Sequence, residues 1–123
     1  MKLSPLGLSS VMLGPAVVTP VAKRAVTDAD TFNYALTLEH LEATFYEQGL
    51  KNYSHEGFAQ AGFPNPFYAN LQQVASDEKM HEEFLQQALS AASANPVERC
   101  TYVFPSTDVK SFLTVASVLE EYS

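Results

Sequence analysis

The chain has 123 residues, 46% of them hydrophobic and 17% charged, enough for one domain with a buried core and too apolar for a wholly disordered polymer. Fourteen acidic residues against seven basic ones leave a net charge of −7, which argues against a nucleic-acid binder or an electrostatic anchor on anionic lipid. Cys100 is the single cysteine, so an internal disulfide and a multi-cysteine zinc finger are both excluded.

Residues 1–24 read as a secretory signal and propeptide. Lys2 opens the segment, small residues cluster from Ala16 to Ala22, and no acidic residue precedes Asp28. Lys23-Arg24 suits trimming by a kexin-type protease. Pro5, Pro15 and Pro20 interrupt the run, which is too short and broken for a transmembrane helix; the competing reading is a disordered tail with a chance Lys-Arg pair. The mature protein is expected to be secreted, extracellular or in the cell wall, with no membrane segment.

Residues 25–123 are expected to form an all-α domain with helices at about 28–51, 66–92 and 107–123. Thr27, Asp28 and Asp30 offer caps and favourable charge for the first. Its apolar residues Phe32, Ala35, Leu36, Leu38, Leu41, Ala43, Phe45 and Tyr46 fill one face, and Asn33, Thr37, His40, Thr44 and Glu47 fall opposite. Residues 52–66 read as a connection whose aromatics Tyr53, Phe58 and Phe63 close one end of the core. Asn65-Pro66 predicts a cap followed by the first helical residue, and the second stripe is Phe67, Leu71, Val74, Ala75, Leu85, Ala88 and Leu89. Residues 93–105 look extended, ending at Pro105. About 13 extended residues reach roughly 40 Å, the length of the second helix, so they can return along the bundle and set the third helix parallel to the second. Ser106, Thr107 or Asp108 can cap that third helix, which has Val109, Phe112, Val115, Ala116 and Leu119 on one face.

Several carboxylates fall on apolar faces, where an unpaired charge is costly. Glu39 and Glu42 lie in the apolar sector of the first helix. Glu78 and His81 fall within the second stripe, Glu82 lies near it, and Glu120 sits at the margin of the third. Glu78-Lys79-Met80-His81 is a Glu-x-x-His pair whose two side chains point the same way, so one carboxylate and one imidazole can reach the same metal. Hard oxygen with imidazole suits iron or manganese, and zinc is also accommodated. The structural alternative is that these acids pair with histidine or with the hydroxyls of Tyr34, Tyr46 and Tyr68. His40 and His55 read as solvated or loop histidines. An inward carboxylate, then Glu-x-x-His, then a parallel helix with a third carboxylate is the order of a di-iron bundle.

The stretch from Phe32 to Leu50, the motif Asp77 to His81, the crossover Pro96 to Pro105 and the segment Ser111 to Glu121 together resemble the secreted ferritin-like proteins of fungi, relatives of plant desiccation-related and fungal stress-response proteins. The resemblance covers nearly all of residues 25–123. It implies a ferritin-like four-helix bundle with a long crossover between the second and third helices. It also implies a dinuclear iron centre with Glu39 as the first-helix ligand, Glu42 as its alternate, Glu78 as bridging ligand, His81 as terminal ligand and Glu120 as third-helix ligand. A fourth helix with a second Glu-x-x-His is expected and is absent from the sequence, and Cys100 is expected to lack its partner.

Two functions follow. One is a di-metal carboxylate protein handling iron, oxygen or peroxide in a stress response, with a homodimer or other oligomer completing the bundle. The other is a non-catalytic secreted stress or structural bundle, without a functional metal site because the second Glu-x-x-His is missing. An incomplete product, exposing the groove of the absent helix, is a further alternative.

Overall fold

The computed structural model describes residues 11–12, 18–19 and 26–122. Two short strands, β1 (Val11–Met12) and β2 (Val18–Thr19), pair antiparallel. Apart from these four residues, the signal and propeptide assigned to 1–24 lie outside the described residues. The rest is all-α: α1 (Asp28–Asn52), α2 (His55–Gln60), α3 (Phe67–Ala91) and α4 (Val109–Glu120). No described helix is long and apolar enough to cross a membrane.

The helices begin where backbone donors find side-chain acceptors. Thr27 caps α1 in a capping box, its hydroxyl accepting from the Asp30 N–H while Asp30 accepts from the Thr27 N–H, both at 3.1 Å. Asp108 and Ser111 form the same reciprocal pair at α4. The expected role of Asn65 is not observed: α3 starts at Phe67, with Pro66 in the cap position and no side-chain cap bond. α3 ends in a Schellman motif. The Ala94 N–H reaches the Leu89 carbonyl at 2.9 Å, the Ser93 N–H reaches the Ser90 carbonyl, and Ser93 takes φ 58°. The connection read as 52–66 contains α2, capped by Ser54, which accepts from the Gly57 N–H. α4 closes earlier than position 123, through tight turns from Glu121 to Val118 and from Tyr122 to Leu119.

Contacts fix the topology. Asn33 meets Asn95 and Val97, whereas His40 meets Glu82, so α1 and α3 run antiparallel. Along α4, Phe112 lies at Gly49 and Glu120 at Tyr46, so α4 is antiparallel to α1 and therefore parallel to α3. The long crossover returns along α1, as its length requires.

An aromatic core fills one end. Phe45, Phe58 and Phe112 are fully buried, and Phe45 stacks on Phe112 with centroids 4.6 Å apart. Tyr53, Phe63 and Phe67 pack around them, as expected for the end cap. α4 approaches α1 closely only because position 49 is glycine: a Cβ there would overlap the Phe112 ring. Gly49→Ala is therefore expected to destabilise by about 1–3 kcal/mol despite alanine's better helix propensity, read as a lower midpoint in urea unfolding.

Candidate metal centre

The antiparallel packing of α1 on α3 brings Glu39 opposite Glu78 and His81. One ligand atom from each of the three lies within 4.8 Å of the other two. His81 Nδ1 is 3.6 Å from Glu39 Oε1 and 3.9 Å from Glu78 Oε2, too far for hydrogen bonds and close enough to share one cation. Glu39 and Glu78 are largely buried, whereas the His81 side chain is 60% exposed. The sequence placed His81 inward; it stands at the rim instead, on the open side of α3 with the exposed Met80 and Phe84.

Glu42 lies one turn deeper and is buried. Burial raises its carboxyl to about 8, aided by the charge and contact of Glu78 and the charge of Glu120. Glu39 is raised further, to about 9, first by burial and then by the adjoining Glu78 carboxyl. Glu120 meets the same cluster from α4: Tyr46 donates its hydroxyl to Glu120 Oε1 at 2.6 Å. Burial, that hydrogen bond and the Glu120 charge push the Tyr46 phenol well above its usual range. The structure thus gathers Glu39, Glu78 and His81 in one group and sets Glu42 and Glu120 within electrostatic reach of it.

Glu39 Oε2 and Glu78 Oε2 are buried without a hydrogen-bond donor. Such atoms are costly unless something positive reaches them. Hard oxygens with one imidazole fit a divalent metal of the iron or manganese type, and that charge would relieve the conflict that raises Glu39 and Glu42.

A model of the ferritin-like domain matches residues 27–123. The chain belongs to the ferritin-like domain family. Comparison with curated proteins finds no match. The described part of this ferritin-like domain carries its acids on three long helices, with α2 outside the cluster.

On the far side of α1 lies a second polar group that the sequence did not reveal. His40, expected to be solvated, is 1% exposed. Its Nδ1 meets Glu82 and its Nε2 lies 2.7 Å from the Val97 carbonyl, so both ring nitrogens face oxygen atoms. Arg99 forks onto Glu82 at 2.6 and 2.7 Å and onto Glu47 at 3.0 and 3.1 Å. The Arg99 hydrogen bond outranks the partial burial of Glu47 and lowers its pKa. Burial would raise Glu82, but Arg99 and His40 together outweigh it and hold it low. Helical projection of α1 does not show this group, because the face bearing His40 and Glu47 meets the crossover at Val97 and Arg99 as well as Glu82 of α3. Cys100, beside Arg99, is exposed and free.

Proposed function

We propose that this is a secreted ferritin-like protein in which Glu39, Glu42, Glu78, His81 and Glu120 hold a dinuclear metal centre, with iron favoured and manganese or zinc as alternatives. The observation that carries the reading is the convergence of Glu39, Glu78 and His81 around two buried carboxylate oxygens that lack donors. Glu78 lies between Glu39 and Glu42 in charge and contact, the place from which one carboxylate can bridge two ions. Tyr46 donates to one oxygen of Glu120, whose charge reaches Glu42. A bound iron pair would supply electron exchange with dioxygen, peroxide or ferrous iron, in keeping with a role in stress. The signal-like segment 1–24 supports secretion, and the resemblance supports a fungal, desiccation-related setting. A second copy would complete the bundle by offering its own Glu-x-x-His to the open side, where His81, Met80 and Phe84 are exposed.

One observation favours the non-catalytic alternative: Glu120 already has a donor in Tyr46. Anaerobic addition of ferrous ion followed by air separates the two. The metal reading expects oxygen uptake with a new near-ultraviolet ferric absorption, both reduced at least tenfold in His81→Ala. Oxygen uptake no faster than that of ferrous ion in buffer would support the structural bundle.

A further inference from the structure

Asn33, His40 and Glu47 recur every seven residues and so form one line along α1, on the side away from the acid cluster. Each of them grips the crossover. The Asn33 side chain donates to the Asn95 carbonyl at 3.0 Å and accepts from the Val97 N–H at 2.9 Å. His40 takes the Val97 carbonyl, and Glu47 takes Arg99. Arg99 and His40 then converge on Glu82 of α3, which is 4% exposed. The buckle thus ties α1 to α3 directly through His40 and Glu82, and again through the guanidinium that joins Glu47 to Glu82.

The buckle lies next to the candidate centre in the chain. His40 follows Glu39, and Glu82 follows His81 and stands four residues past Glu78. On α1, His40 and Glu39 are adjacent and point in different directions, whereas on α3 Glu82 stands one turn from Glu78 on the same face, so the buckle and the acid cluster hold the same two helix segments side by side. The separation of Glu39 from Glu78 and His81 is the distance between those segments. Leu36, Ala43 and Leu89 are fully buried in the same two helices, and the buckle adds directional polar ties to that packing. The aromatic core is centred further along, around Phe58 and Phe112.

We infer that Arg99, acting through Glu82 and the His40 buckle, is a positioning residue that sets the spacing of Glu39 against Glu78 and His81 and so tunes the metal affinity of the centre. The inference rests on the metal reading above. A planar fork is needed, because one group must meet two carboxylates bidentately at once; lysine keeps the charge and loses the geometry.

The test is titration of the chelator-stripped full chain with Co²⁺ alone, followed by calorimetry and visible absorption at 20 °C, well below unfolding. Arg99→Met is expected to weaken Co²⁺ binding by about 10–100-fold and to alter the absorption bands, with helix content by circular dichroism unchanged. Arg99→Lys, which also serves if the methionine variant fails to fold, is expected to fall between it and the unaltered protein. Phe58→Leu, in the distant aromatic core, lowers Tm without touching the buckle and is expected to keep the affinity within about twofold. Affinity in Arg99→Met or Arg99→Lys equal to that of the unaltered protein would overturn the inference, as would an equal loss in Phe58→Leu. Failure of the unaltered protein to bind Co²⁺ would instead remove the metal reading and this inference with it.

Discussion

Stripped of metal, the protein is expected to become less stable as the pH rises from about 5 to about 9, and a divalent ion is expected to reverse the trend. Glu39 and Glu42 titrate at about 9 and about 8 in the folded chain, against 4.5 for an ordinary glutamate. The folded state therefore binds more protons than the unfolded one across that interval. Their contribution is fully present below pH 4.5 and is lost as the pH climbs through the folded values. Glu47 and Glu82 work the other way. Arg99 holds both low, joined by His40 at Glu82, so their contribution is present above pH 4.5 and fades in acid. The metal-free optimum should thus lie near pH 5. Both raised acids keep some solvent contact and share their conflict with Glu78, so the loss by pH 9 is on the order of 3 kcal/mol, about 10–20 °C in Tm for a domain of this size. Metal ligation needs the carboxylates ionised, so binding tightens as the pH rises; at a thousandfold excess over Kd it adds about 4 kcal/mol. Melting in chelator and in Mn²⁺ at pH 5, 7 and 9 checks this. A chelator curve that rises steadily with pH would contradict the assignment of the buried acids.

Glu78→Gln is expected to separate stability from binding. Glu78 is among the causes that raise both Glu39 and Glu42. A neutral amide of the same shape removes that repulsion, and its N–H₂ can donate to a neighbouring carboxyl. The metal-free variant should gain about 1–2 kcal/mol at pH 8. The same change removes a carboxylate proposed as a metal ligand, and metal affinity should fall by more than about 100-fold. Natural sites often sacrifice stability in this way for pre-set charge. A variant that binds metal as before, or that loses stability in chelator, would show that Glu78 serves packing alone.

Much of this was legible in the sequence, because the strongest signals are local. Capping at Thr27 and Asp108, the helical periods and the length of the crossover predicted three long helices and their directions. The nearness of Glu39 to Glu78 and His81 followed from their places in the apolar stripes. What escaped depends on segments that cover one another. Projection of α1 put His40 on the wet side, since a helical wheel shows which residues share a face and not what lies over it. The sevenfold spacing of Asn33, His40 and Glu47, opposite a long crossover with a single arginine, was the available signal. α2 is only six residues long, too short for a period to show, and Asn65 looked like a cap because Asn-Pro often is one. The exposure of His81 depends on what stands beside α3, which the α3 sequence does not encode.

Glu39, Glu42, Glu78, His81 and Glu120 are proposed to form a metal centre rather than a set of structurally satisfied acids. The most direct measurement is anaerobic calorimetric titration of the chelator-stripped protein with Mn²⁺ at pH 7.5, beside Glu78→Gln. A dinuclear centre is expected to show saturable binding approaching about two ions per chain, a release of protons that scales with buffer ionisation heat, and loss of both in the variant. No saturable binding, or binding that Glu78→Gln leaves unchanged, would contradict it.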